Sequence, residues 1–179
     1  MLNDSFQSGS TTFRWADILR GAVAGAVGVW VMDRVDWYAF EHEDPAARRR
    51  TERVRPDGLD PAHKLANLVA NAAGVQLRPA QPHPAGIAVH YGLGIGPAAV
   101  YASTRDKLVW MGPARGAALG LGLFLVQDET INRLAGLSAE PADYPWQALA
   151  RGLLAHLVLG VTIDLALNAM EAAARRRQG

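Results

Sequence analysis

The chain contains no cysteine in its 179 residues. That removes disulfides, thiolate nucleophiles and cysteine-held zinc or iron–sulfur centres. It also has little net charge, because 18 Lys and Arg oppose 17 Asp and Glu for a formal +1. A nucleic-acid binder needs a basic face for the phosphate backbone, so that class is set aside. Catalytic signatures are missing as well. There is no Gly-x-Ser-x-Gly elbow, no phosphate loop and no His-Glu-x-x-His pair. The stretch 92–96, GLGIG, follows no strand pattern and opens no parallel-sheet unit, so no dinucleotide site is expected there. Residues 1–13 lack a positively charged start and include Asp4, so no cleaved signal peptide is expected.

What the chain does have is long apolar runs. Half of its residues are hydrophobic, and its charges gather in 41–64, 104–107, 128–143 and 171–177. Between these patches lie glycine-rich apolar stretches near 84–104, 108–127 and 147–170. Each is long enough to span a bilayer, which takes roughly 20 apolar residues. A first apolar run, 21–32, is too short alone, but no proline interrupts the chain as far as His42. It reaches spanning length if it includes Trp37, Tyr38 and Phe40, with Trp30, Trp37 and Tyr38 suited to the membrane interface. Pro97 and Pro113 fall within apolar segments, which membrane helices tolerate.

The expected fold is therefore an all-α integral membrane four-helix bundle. Its spans lie at about 15–41, 84–104, 108–130 and 147–170, in a single membrane domain covering 13–179. Residues 1–12 read as a mobile polar tail, and 43–59 as a charged linker in water. Asp60-Pro61 has the form of a helix start, an N-cap followed by proline in the first turn. The helix that follows, 61–77, is amphipathic, with Leu65, Leu68, Val69 and Ala72 on one face. It can lie along the interface or pack on the bundle.

Small residues recur four apart at Gly21 and Gly25, Gly92 and Gly96, and Gly116 and Gly120. Such pairs let helix backbones approach closely where no hydrophobic effect drives helices together. Chance in an alanine- and glycine-rich chain is the competing explanation.

Isolated ionisable residues stand out against this background. His90, His156 and Asp164 lie inside apolar helices, where burial is costly and marks a functional or packing role. Proton or ion handling is the leading role for the histidines. Helix–helix hydrogen bonding and ligation of haem or metal are the alternatives. Asp164 shares a face with His156 about two turns away, with Arg115 and Arg151 as candidate partners. Asp128 and Glu129 read as a solvated mouth, within reach of Asn132. With Asp33 and Asp36, which share one face of the first helix, they could form an acidic vestibule. The Glu-x-x-His signature of a di-metal bundle is absent, so no metal site is expected beyond weak candidates at His90 and His156.

The last ninety or so residues carry an ordered set of features. His90 opens an apolar helix ending near Tyr101, and a short charged loop leads to a helix with Gly116 and Gly120. Then come Gly136-Leu137, a Pro/acidic loop, the Tyr144-Pro145-Trp146 corner, and Ala155-His156-Leu157 with Asp164 beyond. Over about residues 85–175 this resembles the YagU-like family of bacterial inner-membrane proteins. Asp128 stands where a histidine is expected in that family, so no histidine-based role is carried over to this position. The resemblance implies an inner-membrane protein linked to stress or acid tolerance, and supplies no established reaction.

The expected function is thus non-enzymatic, the handling of protons or small ions through His90, His156 and Asp164 in the bacterial inner membrane. A structural or accessory subunit of a membrane complex or homo-oligomer is the runner-up, and a haem or metal protein the third reading. No cofactor is predicted, and the lipid bilayer is the principal partner. Basic 105–107 and 175–177 place the C-terminus in the cytoplasm by positive-inside logic, which sets the arginine-rich 43–82 outside unless 61–77 enters the bilayer. The arginine clusters 48–50 and 175–177 suit water or anionic headgroups. A soluble helical bundle is the alternative to a membrane location. The membrane reading predicts that the expressed protein pellets with membranes and resists carbonate extraction, and release into the supernatant would overturn it.

Overall fold

The structure is a computed structural model and describes residues 15–177. The predicted tail, 1–12, lies outside the described residues. Helices and short connections make up everything described, with no strand. Three helical runs are long and apolar enough to cross a membrane: Trp15–His42, Pro84–Leu134 and Trp146–Arg176. Where the sequence predicts four spans, the second and third fall within one run of 51 residues. That run folds back on itself. Arg105 and Arg115, at the two ends of a 3-10 segment, both reach Asp164.

The elements start and stop for local reasons. Helix α1, Trp15–His42, carries Asp17 in its first turn, complementing the helix dipole and meeting Arg20 at 3.4 Å. The predicted charged linker contains a second helix, α2, Pro45–Val54. Its start, Asp44-Pro45, repeats the Asp-Pro signal of Asp60-Pro61, and Asp44 accepts from the N–H groups of Ala46 and Ala47. Helix α3 starts at Pro61 as predicted but ends at Ala72, short of residue 77. Gly74 follows with φ of 74°, the left-handed conformation that ends helices.

Helix α4, Pro84–Thr104, is capped by His83, whose Nδ1 accepts from the Ala85 N–H. The predicted span 108–130 starts later, because Arg105–Ala114 is 3-10 and Gly112 is not helical (φ 54°, ψ −133°). Pro113 enforces that break, since the residue before proline is steered out of the helical region. Helix α5 covers Arg115–Leu123 and continues into a π-helical turn, Phe124–Ile131, and a last turn, α6, Asn132–Leu134. Helix α7, Trp146–Arg176, closes the fold.

Helix α1 packs between α4 and α7, and α7 packs between α1 and α5. Neighbours run antiparallel, as the residue pairs show. Asp33 faces His90 of α4, Asp36 faces Arg151 of α7, and Gly116 of α5 faces Asp164 of α7. One end of the array therefore collects the linker, α2, α3 and the π turn. The other holds the Arg105–Ala114 hairpin.

Glycines set these contacts. A Cβ on Gly21 would lie 2.6 Å from the Ala99 Cα, and one on Gly25 would lie 2.8 Å from Ala98 and Ile95. Between α5 and α7 the backbones meet directly, with a Gly120 Cβ falling 2.2 Å from the His156 carbonyl oxygen. A Gly160 Cβ would meet the Gly116 oxygen at the same distance. Gly92 and Gly96 behave differently. Their Cβ positions meet nothing within 4 Å among the described residues, whereas Gly94 packs on Val29 and Gly86 on His63. Gly21, Gly25, Gly116 and Gly120 thus lie where helices touch, and Gly92 and Gly96 do not.

The outward faces are apolar. Leu19, Val23, Val27 and Trp30 form an exposed stripe on α1, and Leu154, Val161 and Leu165 another on α7. Exposed aromatic rings sit at both ends, with Trp15 and Trp110 at one and Trp37, Tyr38 and Trp146 at the other. Trp15 and Trp37 are 22 positions apart on α1, about 33 Å at helical rise, close to the hydrocarbon thickness of a bilayer. Gly120→Ala is expected to cost about 2–3 kcal/mol by overpacking the α5–α7 contact. Gly92→Ala should leave stability unchanged, as read by denaturation in mixed detergent.

Candidate functional site

Where the helices part at the linker end they leave a half-enclosed cavity of about 550 Å³. Helix α1 brings Asp33, Asp36 and the rings of Trp37 and Phe40 to it. From α4 come His90 and Tyr91, and from α7 Arg151 and His156. The π turn contributes Gln127, Asp128 and Glu129, with Asn132 just beyond. Three consecutive residues of an α-helix fan over about 200°, so they share a wall poorly. The wider π turn brings all three to the same cavity, and such turns are frequent at functional sites. Thr51 and Arg55, the start of α3 and Tyr144 border the space from the linker side.

Five acidic side chains line this cavity against two arginines. Three of the acids are engaged. Asp33 accepts from His90 Nε2 at 2.8 Å, and Asp36 from Arg151 Nη1 at 2.8 Å. Arg151 also binds Glu43 at 3.0 Å and lies 5.0 Å from the centre of the Phe40 ring. Asp60 caps α3 through the His63 N–H and takes His63 Nδ1 at 2.8 Å. His63 Nε2 accepts from the His83 N–H at 3.0 Å. That fixes a proton on Nδ1 and leaves the ring neutral.

Asp128 and Glu129 are different. Among the described residues neither meets a cationic side chain, and only Asn132 donates to Asp128, at 2.9 Å. His156 lies alongside, its ring 5.8 Å from that of Phe124 in the π turn. Its Nδ1 must carry a proton, because it donates to the Gly152 carbonyl at 2.8 Å. The Tyr144 hydroxyl accepts from the Ala139 N–H at 3.3 Å, and burial raises its phenol above the ordinary value, so it remains protonated.

Asp164 is elsewhere. Eight positions after His156 on α7, it sits about 12 Å further along the helix, at the hairpin end. There it is buried in a closed polar network. Oδ1 accepts from the Tyr101 hydroxyl at 2.7 Å and from Arg115 Nε at 2.9 Å. Oδ2 accepts from Asn168 at 3.1 Å, while Asn168 accepts in turn from both Arg115 and Arg105. Arg105, almost fully buried, also approaches Asp164 at 3.4 Å and Glu171 at 3.8 Å. Two guanidinium groups and two carboxylates thus neutralise each other where α4, the hairpin, α5 and α7 meet.

The structure gathers six predicted residues, Asp33, Asp36, Asp128, Glu129, His90 and His156, around one cavity. It separates Asp164 from them. Of the two predicted arginine partners, Arg115 binds Asp164 and Arg151 serves the cavity acids instead. Sequence reasoning missed Tyr101, Arg105 and Asn168. In the sequence Arg105 belongs to a short charged loop that gives no sign of burial, whereas Asn168, one turn after Asp164, is a legible sign of a polar face. No group of three or more His, Asp or Glu able to hold a metal ion occurs among the described residues.

No family model, curated protein or solved structure matches the chain. The site therefore stands on its own chemistry. Removing one partner of a buried ion network leaves an uncompensated charge, so Asp164→Ala is expected to cost about 3–5 kcal/mol. Asp106→Ala, at an exposed neighbour of Arg105, should cost less than about 0.5 kcal/mol in the same detergent denaturation assay.

Proposed function

We propose that this chain is an integral membrane protein that binds small cations, protons included, in the cavity at its linker end. The carrying observation is that Asp128 and Glu129 line a cavity with an excess of acidic groups, yet meet no cationic side chain among the described residues. An uncompensated carboxylate in an apolar setting is costly, and a bound cation or proton relieves that cost. The exposed apolar stripes and aromatic rings support the membrane setting. In this reading the two legs around Gly112 cross separately, giving four crossings. Asp164 holds helices together, and the residues that handle ions are Asp128, Glu129, His90 and His156. The resemblance to the YagU-like family supports an inner-membrane location within this proposal.

A second reading, a subunit of a homo-oligomer or membrane complex, has one specific support. Gly92 and Gly96 leave an exposed small-residue face on α4, continued by Val100, whose glycine Cβ positions meet no neighbour among the described residues.

The cation reading is tested with protein in phosphatidylcholine nanodiscs titrated with sodium, potassium and methylammonium chlorides at constant ionic strength. At least one is expected to raise the unfolding temperature saturably, as a ligand of the folded state must. The Asp128→Asn, Glu129→Gln double variant should lose that rise while remaining folded. Identical behaviour of the double variant, or no response to any of the three, would overturn the proposal.

A further inference from the structure

We infer that the ligand of this cavity is a protonated primary amine carried on an apolar body. The inference rests on the cation reading above and specifies its chemistry. It starts from His156, whose residue is 6% exposed and which lines the cavity. With Nδ1–H committed to the Gly152 carbonyl, Nε2 is the nitrogen left to accept, and no hydrogen bond to it is made among the described residues. The residue is buried but this nitrogen opens to the cavity, where a donor bound in the cavity can meet it.

Asp128 and Glu129 add further acceptors beside it. A Cβ on Gly152, one turn before His156, would lie 3.7 Å from Asp128 Oδ2, which places this carboxylate against the same stretch of α7. Asp128 has spent one acceptor site on Asn132, and Glu129 has spent none. The other acids cannot serve equally, because Asp33, Asp36 and Asp60 already hold His90, Arg151 and His63. The open groups of Asp128, Glu129 and His156 are thus acceptors, with the Gln127 amide beside them able to donate or accept. A primary ammonium brings three N–H donors and a positive charge, which matches them in both respects. A quaternary ammonium brings the charge alone.

The rest of the cavity describes the rest of the ligand. Its volume suits a small molecule and exceeds what an ammonium group fills. Part of the remaining wall is apolar, with Val29 and Met32 from α1, Leu93 from α4 and Leu159 from α7, while Thr51, Arg55 and Ser138 add polar groups toward the linker. The rings of Trp37 and Phe40 lie on the same side as α1. A charged amine with an alkyl or ring body satisfies both halves. Two sources carry that chemistry, a free amphiphilic amine and the ethanolamine headgroup of a phospholipid.

The test uses the full chain in phosphatidylcholine nanodiscs, with empty nanodiscs as control, and follows tryptophan fluorescence, because Trp37 borders the cavity. Octylamine is expected to bind at least about tenfold more tightly than octyltrimethylammonium, the margin that charge-assisted N–H bonds supply. Glu129→Gln and His156→Gln, assayed separately, should each erase that preference. Nanodiscs containing phosphatidylethanolamine separate the sources. Loss of octylamine binding there assigns the site to the lipid headgroup, and unchanged binding assigns it to a free amine. Equal affinity for octylamine and its trimethyl analogue would overturn this inference while leaving the cation reading intact. Absence of saturable binding by either amine, together with no response to sodium, potassium or methylammonium, would overturn both.

Discussion

Backbone-to-backbone contact at glycine positions carries this architecture, because helices with apolar outer faces gain little from hiding those faces from one another in a lipid setting. The contact between α5 and α7 is the tightest instance. Gly116, Gly120 and Gly160 leave no room for a methyl group, so dispersion and close peptide packing replace side-chain interdigitation. Gly25 and Gly28 do the same for α1, bringing it against α4 on one side and α7 on the other. The remaining core is small, centred on Ala24, Ala98, Leu159 and Ile163. Every polar feature of the molecule is positioned by these crossings.

The polar groups then divide between the two ends. At the hairpin end, Tyr101, Arg105, Arg115, Asp164 and Asn168 bond and pair with one another, with Arg105 held to Asp164 by charge as well as to Asn168 by a hydrogen bond, and such a network fixes register between helices. It also holds together the two legs that meet around Gly112. At the linker end the helices diverge and the acids outnumber their partners. Arg151 occupies the boundary, with Asp36 and Glu43 on one guanidinium and Phe40 beneath it. One end is closed by charge balance, and the other is left open by an excess of carboxylates. The same physics gives both outcomes, since a buried charge in an apolar medium must find a counter-charge inside the chain or from outside it.

Much of this was legible from residue patterns. The all-helical class followed from apolar runs without strand alternation, and the Asp60-Pro61 start followed from cap chemistry. The same logic applied to Asp44-Pro45 would have found α2, but the arginine-rich composition of 43–59 obscured it. The grouping of Asp33, Asp36, Asp128 and Glu129 as one acidic vestibule was an option in the sequence because each pair follows directly on an apolar run. What misled was spacing read along a single helix. His156 and Asp164 share a face of α7, yet their surroundings come from different neighbours about 12 Å apart.

The sequence by itself determined the helical class, the apolar lengths and the set of ionisable residues that must be accounted for. These are properties of local sterics and of transfer from water, which depend on residue type and near neighbours. Only the tertiary structure decided which carboxylates have counter-charges. Arg105 reaches Asp164 across 59 positions of chain and Arg151 reaches Asp36 across 115, and no periodicity encodes such pairings. Tertiary packing likewise selected Gly94 over Gly92 and Gly96, because the rotation of α4 about its axis is set by the neighbour it meets.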